Sequence, residues 1–148
     1  MDIQDAVQRL RAAKRAHLAW VGRAGLLVQG IAVAQDQIPV RHTECPFGRW
    51  YHQDGQELAP LPAFRAIDKP HRSLHEAYAT IFSLLFQEKK APLFDRLLGK
   101  TRRAQAEVQE KVAAQMRRLE EASREVVMLL DLLEQALLSQ TRRAPTVI

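Results

Sequence analysis

The sequence predicts an all-α protein, an antiparallel helical bundle with a long C-terminal helix. Apolar residues recur every three or four positions in the first third of the chain, again after Pro70, and again after Gly99, which is the spacing of a buried helix face. Prolines and glycines interrupt this spacing between residues 36 and 62. We therefore expect an irregular segment, which carries the single cysteine, between the first and second main helices.

The first helix is predicted over roughly the first 33 residues. Its apolar face is formed by Ile3, Val7, Leu10, Ala13, His17, Trp20, Ala24, Leu27 and Ile31. Gly22, Gly25 and Gly30 weaken its second half, because glycine disfavours a helix interior. We expect the helix to end near Gly30.

One short helical turn is predicted inside the irregular segment. Pro46 suits the first position of a helix, since a proline lacks the backbone N–H that would be unpaired there. That placement makes Cys45 the N-cap. In a helical protein such a punctuated segment often contains a ligand site.

The second main helix is predicted after Pro70 and the last from Thr101 to Ser139. The second has the apolar stripe His71, Leu74, His75, Tyr78, Ile81, Phe82, Leu84 and Leu85, and Ala91-Pro92 and Gly99 follow it. The last has a nearly heptad stripe of Val108, Val112, Met116, Leu119, Val126, Leu129, Leu133 and Leu137. An unbroken helix of this length, about 58 Å, exceeds the other elements of the bundle. Its surplus apolar stripe predicts a homodimer.

The bulk composition is that of one globular domain, which we place at residues 1–140 with a frayed tail at 141–148. The chain has 148 residues, of which 47% are hydrophobic. A single cysteine excludes an internal disulfide framework. The sequence has neither a signal peptide nor an apolar run long enough to insert into a membrane, so we expect a cytoplasmic protein.

The net charge of +5 raises the question of nucleic-acid binding. Most basic residues alternate with acidic ones along helical faces, and no motif with base-stacking aromatic residues is present. We therefore expect no nucleic-acid partner.

The chemistry of the chain is concentrated in His17, Cys45, His71 and His75. Three neutral imidazoles and a thiolate make a complete tetrahedral set of zinc ligands. His71 and His75 are four apart, so on a helix both can reach the same metal ion. The three histidines fall on predicted buried stripes, where an unpaired imidazole is costly.

Each of these residues also has an ordinary interpretation. A lone buried histidine such as His17 is more often a hydrogen-bonded core residue, and Cys45 alone resembles a small hydrophobic residue. His42 and His52 lie off every stripe, and we expect both to be exposed. Replacement of a named ligand by either of these two remains open.

Zn²⁺ is the predicted cofactor, because one thiolate with three imidazoles suits zinc in a reducing compartment. Four protein ligands leave no position for a catalytic water, so we expect no enzyme. A metal hydrolase, the alternative, also needs a general base near the metal. The His-Glu-x-x-His arrangement is missing, since Glu76 follows His75 instead of lying between the pair.

These residues resemble the bacterial chemoreceptor zinc-binding (CZB) domain family over about residues 8 to 138. The family pattern is a helix-1 His followed by Trp, then Cys-x-x-Gly-x-Trp, then His-x-x-x-His. The matching residues are His17 with Trp20, Cys45-Pro46-Phe47-Gly48-Arg49-Trp50-Tyr51, Gly55, Phe64, and His71 with His75. The family commonly has Leu between Cys and Gly, where this chain has Pro46-Phe47. The resemblance implies a small, usually dimeric helical bundle with His17, Cys45, His71 and His75 as its zinc ligands.

The resemblance also implies a role in bacterial signalling, in chemotaxis or in cyclic-di-GMP control. The partners it implies are a chemoreceptor or a diguanylate cyclase, and the stimuli are zinc and oxidants such as hypochlorous acid. No such output domain accompanies this chain, so we expect either a free-standing member or a fragment.

Cys45 is the expected redox-sensitive ligand because it lies in the irregular segment. The alternative is a purely structural zinc-stabilised dimerisation bundle. Trp20 and Trp50 are interpreted as a hydrophobic shell of the site or as ordinary core residues.

Overall fold

The structure, a computed structural model, describes residues 1–31, 39–88 and 100–143. Its elements are helix α1 (Ile3–Val28), the short helix α2 (Pro46–Tyr51), a 3₁₀ helix (Asp54–Leu58), helix α3 (Pro62–Glu88) and helix α4 (Lys100–Arg143). These ranges contain helices and no strand. The predicted all-α bundle with a long C-terminal helix is therefore confirmed.

The direction of the long helices follows from the pairs of residues that meet. Arg11 and Lys14 of α1 pair with Glu134 and Asp131 of α4, at 2.6 and 2.9 Å. The numbers rise on one helix as they fall on the other, so α4 is antiparallel to α1.

Helices α1 and α3 contact each other through pairs of aromatic rings, and the residue numbers of these pairs rise together along the two helices. His17 of α1 lies against His71 of α3, with ring centroids 4.8 Å apart, and Trp20 lies against Tyr78, at 4.7 Å. Helices α1 and α3 therefore run parallel in this region. The long connection between them, which carries α2, permits a return to the same end of the bundle.

The core lies between the three long helices and also includes the buried residues of α2. Each long helix contributes buried residues of its predicted apolar stripe, but Phe64, Ile67 and Leu130 are core residues that the stripes did not include. The large buried residues include Leu10, Phe64, Ile67, Leu74, Tyr78, Ile81, Leu119, Leu130, Leu133 and Leu137. Burial of such side chains is the main source of stability in a bundle of this kind.

The predicted end of the first helix near Gly30 is confirmed, since α1 ends at Val28 with Gln29 as its C-cap. Ile31 was wrongly placed on the buried face and is 48% exposed. The predicted start of the second main helix was also wrong. Helix α3 begins at Pro62 and continues through Pro70, which the sequence analysis took as its start. A proline inside a helix removes one hydrogen bond, and here packing of the flanking turns maintains the helix.

The C-terminal helix is longer than predicted. It begins at Lys100 and reaches Arg143, so the first three residues of the predicted frayed tail are helical. The predicted breaks at Ala91-Pro92 and Gly99, and residues 144–148, lie outside the described residues. None of the described helices is both long enough and apolar enough to cross a membrane.

The predicted helical turn after Cys45 is confirmed as α2. Cys45 is its N-cap, with extended backbone angles, and Pro46 occupies the first helical position. Gly48 lies so close to the preceding loop that a Cβ atom there would overlap the carbonyl oxygen of His42. The close approach of loop and helix at Gly48 fixes the direction in which Cys45 points.

We predict that Gly48→Ala lowers the free energy of unfolding by about 1–3 kcal/mol, because the added methyl group forces the His42 loop away from α2. Gly22→Ala is the matched control, since nothing lies within 4 Å of a Cβ atom at Gly22. There alanine favours the helix and should stabilise by up to about 1 kcal/mol. Urea unfolding of both variants measures these changes, and equal effects at the two glycines would contradict the close packing around Gly48.

Candidate metal centre

The structure brings all four sequence-predicted ligands together in the interior. One nitrogen from each of His17, His71 and His75 and the sulfur of Cys45 lie within 4.8 Å of one another. Nε2 of His17 is 2.9 Å from Nε2 of His71 and 3.4 Å from Nε2 of His75. Sγ of Cys45 is 3.5 Å from Nε2 of His71. All four residues are at most 5% exposed, so the cluster is largely shielded from bulk water.

Backbone groups orient two of the imidazoles. Nδ1 of His17 is 2.6 Å from the carbonyl oxygen of Ala13, one turn earlier on α1. Nδ1 of His75 is 2.9 Å from the carbonyl oxygen of Val40, in the loop before α2. A carbonyl oxygen only accepts, so both Nδ1 atoms carry the ring proton and donate it. Nε2 of each ring is therefore an unprotonated acceptor.

This assignment leaves two lone pairs facing each other. Nε2 of His17 and Nε2 of His75 are 3.4 Å apart with no proton available to join them. His71 has one exchangeable ring proton and can satisfy at most one of them. A cation among these nitrogens relieves the repulsion, and outward Nδ1–H bonds of this kind typically fix metal-binding histidines. The residues present therefore fit a bound metal ion.

Burial keeps the imidazoles neutral. It lowers the pKa of His71 to about 2, helped by the neighbouring rings, and lowers the pKa of His75 to about 4. It also lowers the pKa of His17, against the opposing effect of the Ala13 carbonyl. At neutral pH the three rings are in the form that binds metal.

Burial dominates the intrinsic acidity of the cysteine. Its Sγ accepts the backbone N–H of Gly48 at 3.2 Å, as an N-cap should. Burial nevertheless raises the pKa of the Cys45 thiol, and this effect exceeds the lowering by the N–H groups at the start of α2. The helix terminus by itself is therefore insufficient to make the thiolate, and a bound cation must supply the rest of the stabilisation.

Aromatic rings surround the cluster, which fits the first of the two interpretations given to Trp20, a hydrophobic shell of the site. The ring of Trp20 lies 4.8 Å from that of His75, and the ring of Phe47 meets His71 edge-on at 5.1 Å. Trp50 packs against Phe47 at 5.8 Å. The sequence analysis treated Phe47 only as a departure from the family pattern and missed its contact with the ligands.

A groove of about 310 Å³ reaches the cluster from the surface between α1 and α2. Among its lining residues are His17, Trp20, Cys45, Trp50 and His75. The sulfur is thus buried from bulk solvent but lies at the wall of a cavity large enough for a small molecule.

The expectation that His42 and His52 are both exposed was half wrong. His52 is exposed, but the His42 side chain is only 16% exposed and its ring lies 5.7 Å from that of His71. Both imidazoles point to Asp68 of α3, at 3.6 and 3.5 Å. The sequence analysis missed Asp68 because it began the helix after Pro70. In a helix that begins at Pro62, Asp68, His71 and His75 lie on one face. That spacing would have identified Asp68 as a neighbour of the two histidines.

The comparisons with known proteins agree with this geometry. The family model described as chemoreceptor zinc-binding domain matches residues 17–82, which include all four clustered residues. The matched range is 66 of the 148 residues and is shorter than residues 8 to 138, over which the sequence resembles the family. Residues 17–82 are therefore similar to the chemoreceptor zinc-binding domain family. Neither a curated protein nor a solved structure matches the chain. The family match and the buried cluster together point to a metal site.

Proposed function

We propose that this protein is a zinc-binding sensory module of bacterial signalling, which responds to zinc and to oxidants through a zinc-bound cysteine. The observation that carries the proposal is the buried convergence of His17, Cys45, His71 and His75 within 4.8 Å. The family match to a chemoreceptor zinc-binding domain supports the signalling role. Chemotaxis and cyclic-di-GMP control are the two outputs we consider, with a chemoreceptor or a diguanylate cyclase as the partner.

The donor set supports Zn²⁺ as the ion. Thiolate and imidazole are its usual ligands, and four protein donors form the closed tetrahedral site of non-catalytic zinc proteins. The same closure leaves no position for a catalytic water, so we propose a regulatory rather than an enzymatic role. When bound, zinc supplies a positive charge that favours the Cys45 thiolate and joins α1, the start of α2 and α3.

The proposed oxidative step takes place at the sulfur of Cys45. The thiolate attacks the chlorine atom of hypochlorous acid, and an S–Cl bond forms as hydroxide leaves. Water then replaces chloride and releases one proton, which gives a sulfenic acid. Sulfur loses two electrons, and chlorine gains them as chloride. The groove beside Cys45 gives the oxidant a route to the sulfur.

Oxidation would release the most movable of the three connected elements. A sulfenic acid is a poorer metal donor than a thiolate. Cys45 begins a six-residue helix, whereas His17 and His71 lie in the long helices α1 and α3. Loss of the cysteine ligand therefore frees the α2 segment first. The long helices would then transmit the resulting change in packing.

We predict that hypochlorous acid releases zinc from the wild-type protein loaded with one equivalent, and that thiol reductants reverse the release at the sulfenic stage. In Cys45→Ala the oxidant should not accelerate zinc loss, because the reactive sulfur is missing. Stopped-flow mixing with a zinc-sensitive dye measures both rates. Met128→Leu is the matched control, since it removes an exposed oxidisable sulfur that is not part of the cluster and should keep the response.

The structural alternative makes the opposite prediction in this experiment. Equal oxidant-dependent release in wild type and Cys45→Ala would remove Cys45 from the mechanism. Retention of zinc after Cys45 is shown to be oxidised would have the same consequence. Either outcome would favour a zinc-stabilised dimerisation bundle without redox sensing.

We also propose that the module acts as a homodimer. The proposed contact surface differs from the apolar stripe of the C-terminal helix, on which the sequence prediction of a dimer was based. The chain itself buries most of the α4 stripe, including Leu119, Val126 and Leu133. A separate apolar patch crosses α1 and α4, where Leu18, Met128 and Leu132 are 47%, 54% and 48% exposed and line one shallow groove. An exposed patch of this kind suits a two-fold contact with a second copy.

We predict that light scattering of the zinc-bound wild type at micromolar concentration gives the mass of a dimer. Leu132→Lys should shift the equilibrium to the monomer, because it places a charge at the centre of the apolar patch. Gln109→Lys adds the same charge on an exposed part of α4 outside the patch and should remain dimeric. A monomeric wild type, or loss of the dimer in both variants, would contradict the proposed interface.

A further inference from the structure

A second cluster of metal-capable side chains lies beside the first. It consists of His42, His52 and Asp68, whose ligand atoms are all within 4.8 Å of one another. The three residues come from the loop before α2, from the end of α2 and from α3. The folding of the α2 segment onto α3 therefore assembles this cluster, as it assembles the first.

The distances within the cluster are too long for good hydrogen bonds. Nε2 of His42 and Nε2 of His52 are 3.6 and 3.5 Å from the same oxygen, Oδ1 of Asp68. That oxygen is buried and has no hydrogen-bond partner in the described part of the chain. A buried carboxylate oxygen without a partner is costly, so the arrangement requires a group that is not a side chain.

The same distances suit a metal ion between the three atoms. Ligand nitrogens and oxygens lie about 2.0–2.2 Å from zinc, which places neighbouring ligands of a tetrahedral site about 3.4 Å apart. The separations of 3.5 and 3.6 Å are close to this value. Two imidazoles and one carboxylate are donors that divalent transition metals accept.

Arg72 orients the carboxylate without closing the site. Its guanidinium donates to Oδ2 of Asp68 at 3.2 Å and leaves Oδ1 facing the two imidazoles. The positive charge of Arg72 opposes a bound cation, but its side chain is 56% exposed and solvent screens it. We therefore expect binding here to be weaker than in the buried cluster.

We propose that His42, His52 and Asp68 form a second, partly exposed site for a divalent transition-metal ion, with water completing the coordination. The site differs from the proposed sensory site in having no sulfur donor. It also differs in exposure, since the His52 side chain is 38% accessible whereas the four residues of the first cluster are buried. Metal at this site is thus open to exchange with solvent, and none of its protein donors is a sulfur that an oxidant attacks.

Cobalt titration of the full metal-free chain tests the proposal. The first equivalent of Co²⁺ should give the charge-transfer band of a cobalt–thiolate bond, because it fills the Cys45 cluster. A second, weaker equivalent should add only ligand-field absorption. His52→Ala and Asp68→Asn should each weaken the second equivalent about tenfold or more while the thiolate band persists. Asp54→Asn, on the exposed 3₁₀ helix, is the matched acidic control and should bind both equivalents.

The thiolate band distinguishes failure of this proposal from failure of the first site and also reports that each variant is folded. Binding of a single equivalent by the wild type would overturn the second site. Retention of the second equivalent with unchanged affinity in both His52→Ala and Asp68→Asn would overturn the assignment of its ligands. Zinc calorimetry on the same proteins should give the same order of affinities.

Discussion

The architecture depends on two imidazole lone pairs that face each other inside the bundle. Backbone carbonyls hold the Nδ1 protons of His17 and His75 on the outer sides of the rings, so their Nε2 atoms meet 3.4 Å apart without a proton. Burial excludes water and keeps the rings neutral. In such surroundings the one ring proton of His71 can satisfy only one of the two nitrogens, whereas a metal ion would satisfy both and could also bind Cys45 and His71.

The remaining structure places those donors on elements of different stability. His17 and His71 belong to the long helices α1 and α3, which contribute to the common core. Cys45 belongs to a short helix whose position depends on a close contact with the His42 carbonyl. Loss of one ligand would therefore have unequal effects, because a helix of six residues depends on contacts with other elements for its position. In the proposed function, this inequality would let the site report a change at its sulfur.

The sequence carried enough information to predict which four metal-capable residues converge and to predict most of the helices. Apolar spacing located the buried faces, and Pro46 after Cys45 predicted a capped turn that the structure contains. The start of α3 was missed because Pro70 was given more weight than the packing of the turns on either side. The partial burial of His42 arises from a tertiary contact at Gly48, which no local pattern encodes. The apolar patch formed by Leu18, Met128 and Leu132 likewise depends on how α1 and α4 pack.

X-ray absorption at the zinc edge, on protein loaded with one equivalent, tests the central claim most directly. The account predicts one sulfur at about 2.3 Å and three imidazole nitrogens at about 2.0–2.1 Å. In Cys45→Ser the sulfur contribution should disappear while the imidazole scattering remains. A wild-type spectrum with no sulfur ligand, or with fewer than three imidazoles and several water oxygens, would contradict the proposed zinc site.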